Sequence, residues 1–169
     1  MESQKNNVAA NGKQTQRALI SWRDVSAALD ELIVKTERTL DVFDQSLALQ
    51  EWGSKARCEA LKAAMIERRV KVRMLIVDPQ IVTAELPRLI QLLKTLGHRI
   101  SIAAAPEAAF PASNFVVADQ QHLLFRPNSV QSTGSLHFYN PYKSIGYAQT
   151  FEVIWQQGGR RVFPETFGL

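Results

Sequence analysis

The chain has 169 residues, 46% of them hydrophobic and 21% charged, which is enough for one ordinary domain with a full core and too few for two. A net charge of +4 permits an anionic partner, but acidic residues nearly balance basic ones and no long basic run occurs, so solubility accounts for the charge as well as nucleic acid does. The one cysteine, Cys58, excludes a disulfide framework and a multi-cysteine metal site, and His98, His122 and His137 share no ligand-like spacing, so neither a metal nor a cofactor is expected.

The opening MESQKNNVAANGKQTQ is rich in Asn, Gln and Lys and poor in large apolar groups, so residues 1–16 are read as a disordered tail and 17–169 as a single domain. No apolar run approaches the roughly 18 residues a membrane span needs, and the N-terminus lacks an apolar signal core, which points to a cytoplasmic protein.

A first helix is predicted from Ser21, where S-W-R-D offers a capping hydroxyl and an acidic residue three positions on, and Trp22, Val25, Leu29, Leu32 and Ile33 then share a face. TLDVFD (39–44) is a short strand. From about Leu47 the sequence turns helical, with Cys58, Leu61, Ala64 and Met65 as its stripe and Arg68 and Arg69 at its basic end. VKVRMLIVD (70–78) is the strongest strand and is placed centrally. Leu86, Leu89, Ile90, Leu93 and Leu96 recur at helical spacing, Gly97 suits the position after the helix, and HRISIAAA (98–105) is a strand. Strand, helix, strand in that order argues for a parallel pair.

Residues 106–113 read as a loop. NFVVADQQHLLFRP (114–127) follows as a hairpin, with Asp119 and Arg126 taken as a carboxylate and a guanidinium at its open ends. NSVQSTGS (128–135) is a turn-rich excursion, and Tyr147, Ala148, Phe151, Ile154 and Trp155 mark a last helix ending near Gly158. Trp22 and Trp155 are expected in the core. The order α-β-α-β-α-β-β-β-α predicts an α/β fold, a mixed sheet flanked by helices on both faces.

That order, together with the strand ending in Asp119, Gly134-Ser135 and the closing F-E-V-I-W, resembles one half of the phospholipase D superfamily. T-E-R-T-L, V-K-V-R-M-L-I-V-D, P-R-L-I-Q-L-L before H-R-I-S-I, and D-x-x-x-L-L-F-R-P resemble more specifically a bacterial phospholipase D-like domain that occurs alone or fused behind an N-acetyltransferase. The likeness covers most of residues 17–157. It implies a phospholipase D-like sheet, pairing as a homodimer, and an acetyltransferase as a partner. The superfamily's catalytic signature is H-x-K-x4-D, in which histidine attacks phosphorus and lysine holds the phosphoryl oxygens. Matching its aspartate to Asp119 puts Ala112 at the histidine position and Asn114 at the lysine position, and no other H-x-K exists in the chain. The resemblance therefore implies the fold and argues against the activity, with no catalytic residue assigned.

Asp78 and Asp119 each end a predicted strand; on parallel neighbours, both would face the edge where open α/β sheets bind ligands. Arg126, Arg88 and His98, with Arg99, would supply positive charge for a small anionic or phosphorylated ligand. The alternative is that both carboxylates accept loop N–H groups, or pair with Arg88 and Arg126, and merely terminate strands. Arg68, Arg69, Lys71 and Arg73 invite a nucleic-acid reading, but strand alternation does not make them one stripe. The function expected is a non-catalytic binding, regulatory or assembly module. The alternatives are a phosphodiesterase or phospholipid-headgroup enzyme with a rebuilt site, and a nucleic-acid-binding module.

Overall fold

The computed structural model describes residues 12–106 and 113–164. A mixed seven-stranded sheet, with helices packed on both of its faces, is built from β1 (Thr15–Leu19), β2 (Thr39–Phe43), β3 (Lys71–Ile76), β4 (Ile100–Ala104), β5 (Asn114–Ala118), β6 (His122–Arg126) and β7 (Gly134–Phe138) in the order β1-β7-β6-β5-β2-β3-β4. The helices are α1 (Trp22–Lys35), α2 (Lys55–Glu67), α3 (Pro79–Glu85), α4 (Pro87–Leu96) and α5 (Pro141–Gln156).

β2, β3 and β4 are parallel, the β3–β4 pair as the strand–helix–strand reading required. β5 runs against β2, and β6, β7 and β1 then alternate in direction. The C-terminal ends of β1 to β4 and of β6 therefore share one edge of the sheet with the N-terminal ends of β5 and β7. Strand alternation divides the core in two. Leu40, Val42, Val72, Met74, Val116, Leu124 and Leu136 face α1, α2 and α4, while Phe43, Leu75, Phe115, Val117 and Leu123 face Ala148, Phe151 and Ile154 of α5.

Ser21 caps α1 as expected. Its Oγ accepts from Asp24 N–H at 3.1 Å, and the Asp24 carboxylate accepts in return from Ser21 N–H at 3.1 Å. α2 begins at Lys55 rather than near Leu47, because Leu47 and Glu51 adopt positive φ (65° and 55°) in the intervening turns and Ser54 supplies the cap. β3 lies next to last in the sheet, not at its centre, since only β4 lies beyond it. Gly97 ends α4 with φ −60°, so no left-handed residue is needed there. Three elements were unanticipated: α3, seeded by Pro79 behind the capping Asp78, and the strands β1 and β7. β1 starts at Thr15, inside the segment read as tail.

The free side of β4 is covered by the chain after α5, through Ala104 N–H to Arg160 O (2.7 Å) and Val162 N–H to Ile102 O (2.8 Å). The approach is so close at Gly159 that a Cβ would stand 1.5 Å from the Ala104 carbonyl oxygen. None of the described helices is long and apolar enough to cross a membrane.

Candidate functional site

At the shared edge, the alternation that buries Leu40 and Val42 carries Asp44 to the same side of the sheet, where it is fully enclosed. Its Oδ1 accepts from Ser46 N–H (3.2 Å) and from Asn114 Nδ2 (3.0 Å), and its Oδ2 accepts from Gln50 Nε2. Asn114 stands directly opposite Arg126 in the β5–β6 ladder, so the two side chains emerge as neighbours on this face. The Arg126 side chain is wholly buried. Its Nη1 donates to the carbonyls of Ser129 (3.0 Å) and Gln131 (2.6 Å), which ties it to the β6–β7 loop. Burial pushes its pKa down, and the nearby Asp44 charge opposes that shift.

Several polar atoms in this cluster have no hydrogen-bond partner: Arg126 Nε and Nη2, Asn114 Oδ1 and Gln50 Oε1. Buried polar groups are nearly always satisfied, so four such atoms together make this cluster the candidate site. Nε and Nη2 form one side of the guanidinium fork. Arg73 uses the same two atoms to grip Asp41 at 2.8 and 3.0 Å, which shows what this side of an arginine is shaped to hold. Trp22, at the start of α1, has the Arg126 guanidinium over its ring at 5.0 Å and is 37% exposed rather than core. Trp22 also lines a cavity of about 410 Å³, with Val25, Ser26, Leu49 and Gln50 among its other walls.

The five residues singled out from the sequence do not converge. Because β5 is antiparallel to β2, Asp119 lies at the opposite edge of the sheet from Asp78. It sits at the turn of the hairpin, and only Arg126 is at the open end, about 17 Å away along the strand at the usual rise per residue. Asp119, 9% exposed, accepts from the backbone N–H groups of Glu37 (2.8 Å), Arg38 (2.7 Å) and Thr39 (2.9 Å). Asp78 is exposed and caps α3 through Gln80 N–H at 2.9 Å. Both carboxylates thus follow the strand-terminating alternative, and neither pairs with an arginine.

His98 is exposed in the turn before β4, at the edge occupied by Asp119. Arg88 lies outside the sheet, where it lines a shallow surface depression between α2 and α4 with Cys58 and Lys62. Ala112 falls outside the described residues, whereas Asn114 is in the cluster itself. Asp44 and Gln50 were missed. Asp44 ends TLDVFD as Asp78 ends its strand, and alternation from Leu40 and Val42 would have placed it on the core side.

Of the four basic residues that suggested nucleic acid, Arg68 and Arg73 are committed to the fold, while Arg69 and Lys71 are exposed. Arg68 donates to Thr36 O and Ile33 O, both at 2.9 Å, closing the end of α1. Arg73 is clamped between Asp41 and Glu152 and lies over Phe151 and Trp155. Among the described residues, no three His, Cys, Asp or Glu side chains are grouped so as to hold a metal ion.

The sequence model of the family described as Domain of unknown function (DUF7931) matches residues 21–162. The chain belongs to this family. No curated protein matches this DUF7931 chain by sequence. Its fold is similar to several solved structures at low identity. TrmBL2, an archaeal chromatin protein with a novel mode of DNA binding, is 9% identical with a TM-score of 0.67, covering 90% of this chain and 56% of that one. Nuc from Salmonella typhimurium, a phospholipase D family member, is 13% identical with a TM-score of 0.66, covering 89% and 99%. NucT from Helicobacter pylori is 10% identical with a TM-score of 0.59, covering 85% and 97%. The DUF7931 chain thus spans nearly the whole of Nuc and NucT and about half of TrmBL2. Its fold is phospholipase D-like.

Proposed function

We propose that this DUF7931 domain is a non-catalytic phospholipase D-like module that binds a small anion at Arg126 and acts through that binding in regulation or assembly. The observation that carries the reading is the free Nε/Nη2 fork of a fully buried arginine, beside three further residues with unsatisfied or charged groups. Catalysis of the superfamily's type would need the histidine and lysine that the sequence lacks. The residue that the resemblance matches to the lysine position, Asn114, donates its amide to Asp44 and offers no ammonium to a phosphoryl group.

Calorimetric titration of the full chain with inorganic phosphate and with acetate tests the reading. One of them is expected to bind, and Arg126→Gln to abolish the heat while the chain stays folded by circular dichroism. Hydrolysis of bis(p-nitrophenyl) phosphate is expected to be absent. Turnover that disappears in Arg126→Gln would replace this proposal with the rebuilt-enzyme reading. Assembly as a homodimer belongs to the same proposal, and a clean monomer by light scattering at micromolar concentration removes it. Binding to DNA has one supporting likeness, TrmBL2, and predicts affinity that falls steeply with salt.

A further inference from the structure

We infer that the ligand of this edge is a free α-amino acid with an apolar side chain, its carboxylate on the Arg126 fork and its ammonium on the Asn114 and Gln50 amide oxygens beside Asp44. The inference rests on the reading of Arg126 as an anion site and gives that site its chemical class.

The unsatisfied atoms are of two kinds in equal number, two donors on Arg126 and two acceptors on Asn114 and Gln50. A simple anion would answer the donors and leave both acceptors orphaned. It would also face two amide oxygens and the Asp44 charge with nothing to offer them. An ammonium has only donors, so a molecule bearing carboxylate and ammonium on one carbon answers both sets.

Charge gives the same answer. The buried cluster beside the cavity holds one positive group, Arg126, and one negative group, Asp44, close enough that the second opposes the burial shift of the first. A zwitterion adds opposite charges to opposite partners and leaves the enclosed site neutral. A phosphate dianion would leave it with a net negative charge in a poorly solvated place.

The spacing is compatible. Asn114 and Arg126 are cross-strand partners, so their side chains leave the sheet side by side, about 5 Å apart at Cβ. Asn114 and Gln50 both donate to Asp44 from their amide nitrogens, which anchors the two amide groups around one carboxylate and leaves their oxygens free. The third substituent of an amino acid then needs an apolar recess. The cavity of about 410 Å³ walled by Trp22, Val25 and Leu49 adjoins through Gln50 and Trp22, which belong to both. Trp22 is wall of the cavity and cover of the guanidinium at once, so entry of the carboxylate is coupled to movement of the indole.

The test is titration of the full chain at pH 7.5 with L-leucine and L-phenylalanine, followed by calorimetry and by tryptophan fluorescence with Trp22→Phe as reference. Leucine or phenylalanine is expected to bind. 4-Methylpentanoate, which lacks the ammonium, and isopentylamine, which lacks the carboxylate, are each expected to bind at least tenfold more weakly than leucine. Arg126→Lys keeps the charge without the fork and is expected to lose at least tenfold. Asp44→Asn is expected to do the same, and it is a mild change because the free Gln50 oxygen can accept from the new amide. Should either variant fail to fold, the analogue series on the unaltered chain decides alone. Binding of inorganic phosphate or O-phosphoethanolamine without binding of the amino acids overturns this inference and leaves the anion site standing. Binding of neither class removes both.

Discussion

Replacing Asp119 by alanine deprives three backbone N–H groups of their acceptor at once. Glu37, Arg38 and Thr39 donate to its two oxygens over 2.7 to 2.9 Å, and they form the bend by which the chain leaves α1 and enters β2. Hydrogen bonds to a charged acceptor contribute about 1.5–3 kcal/mol each. They share one carboxylate and the site is partly exposed, so their sum is discounted to about 3 kcal/mol. Asp119 also has φ 53° in the hairpin turn, a conformation that aspartate and asparagine tolerate and alanine resists by roughly 1 kcal/mol. Asp119→Ala is therefore expected to destabilise by about 4 kcal/mol in urea unfolding followed by both circular dichroism and fluorescence. Asp119→Asn, which keeps the turn preference and one acceptor oxygen, should lose about half as much. In every variant that folds, ligand binding at Arg126 should be unchanged, because the two residues occupy opposite edges of the sheet. A loss under about 1 kcal/mol for alanine, or a folded variant that no longer binds, would refute the reasoning.

The buried imidazoles set a pH dependence. His122 Nδ1 accepts from Tyr139 N–H at 3.0 Å and must be unprotonated to do so; burial lowers its pKa, partly offset by Asp119, and burial likewise lowers that of His137, aided by Lys143. A lowered folded pKa means that the unfolded chain takes up protons first, so stability is complete above the unfolded value near 6.5 and declines as pH falls toward the folded one. The melting temperature should drop between pH 7.5 and 5, with a shallower slope in His122→Asn, which retains an acceptor; an equal slope in the two would count against this account. Gly159→Ala should push residues 160–162 off β4, since the added carbon meets the Ala104 carbonyl oxygen. Faster hydrogen exchange at the Ala104 and Val162 amides is the expected result, and unchanged protection of both would contradict it.

The helices and buried strands were legible because their signals are local. Val25, Leu29, Leu32 and Ile33 repeat at helical spacing and are buried in α1, and Ser21 and Asp24 cap it as their spacing foretold. β1 was not legible. Its sequence, TQRAL, is exposed at all but its last residue, so it carries neither alternation nor an apolar run, and its place is decided by a partner at the other end of the chain. The site was misread for a related reason. Strand direction, which decides whether Asp78 and Asp119 share an edge, is a property of connections rather than of residues. A six-residue strand ending in aspartate reads the same whichever way it runs. Arg126 survived as a candidate because it was anchored to the hairpin, whose antiparallel pairing the sequence does declare. Its companions Asp44 and Gln50 come from a distant segment and meet it only in the folded sheet.

The pairing of β1 with β7, Thr15 opposite Phe138 through to Leu19 opposite Gly134, bears on how the molecule is made. Among the described strands β1 comes first in the chain and its ladder partner β7 comes last, so β1 waits unpaired while β2 to β6 assemble around their own local contacts. Closing so long a loop is entropically late, and until it closes the outer side of β7 is an open template for another chain. Aggregation during refolding should therefore be most sensitive to the fit of β1.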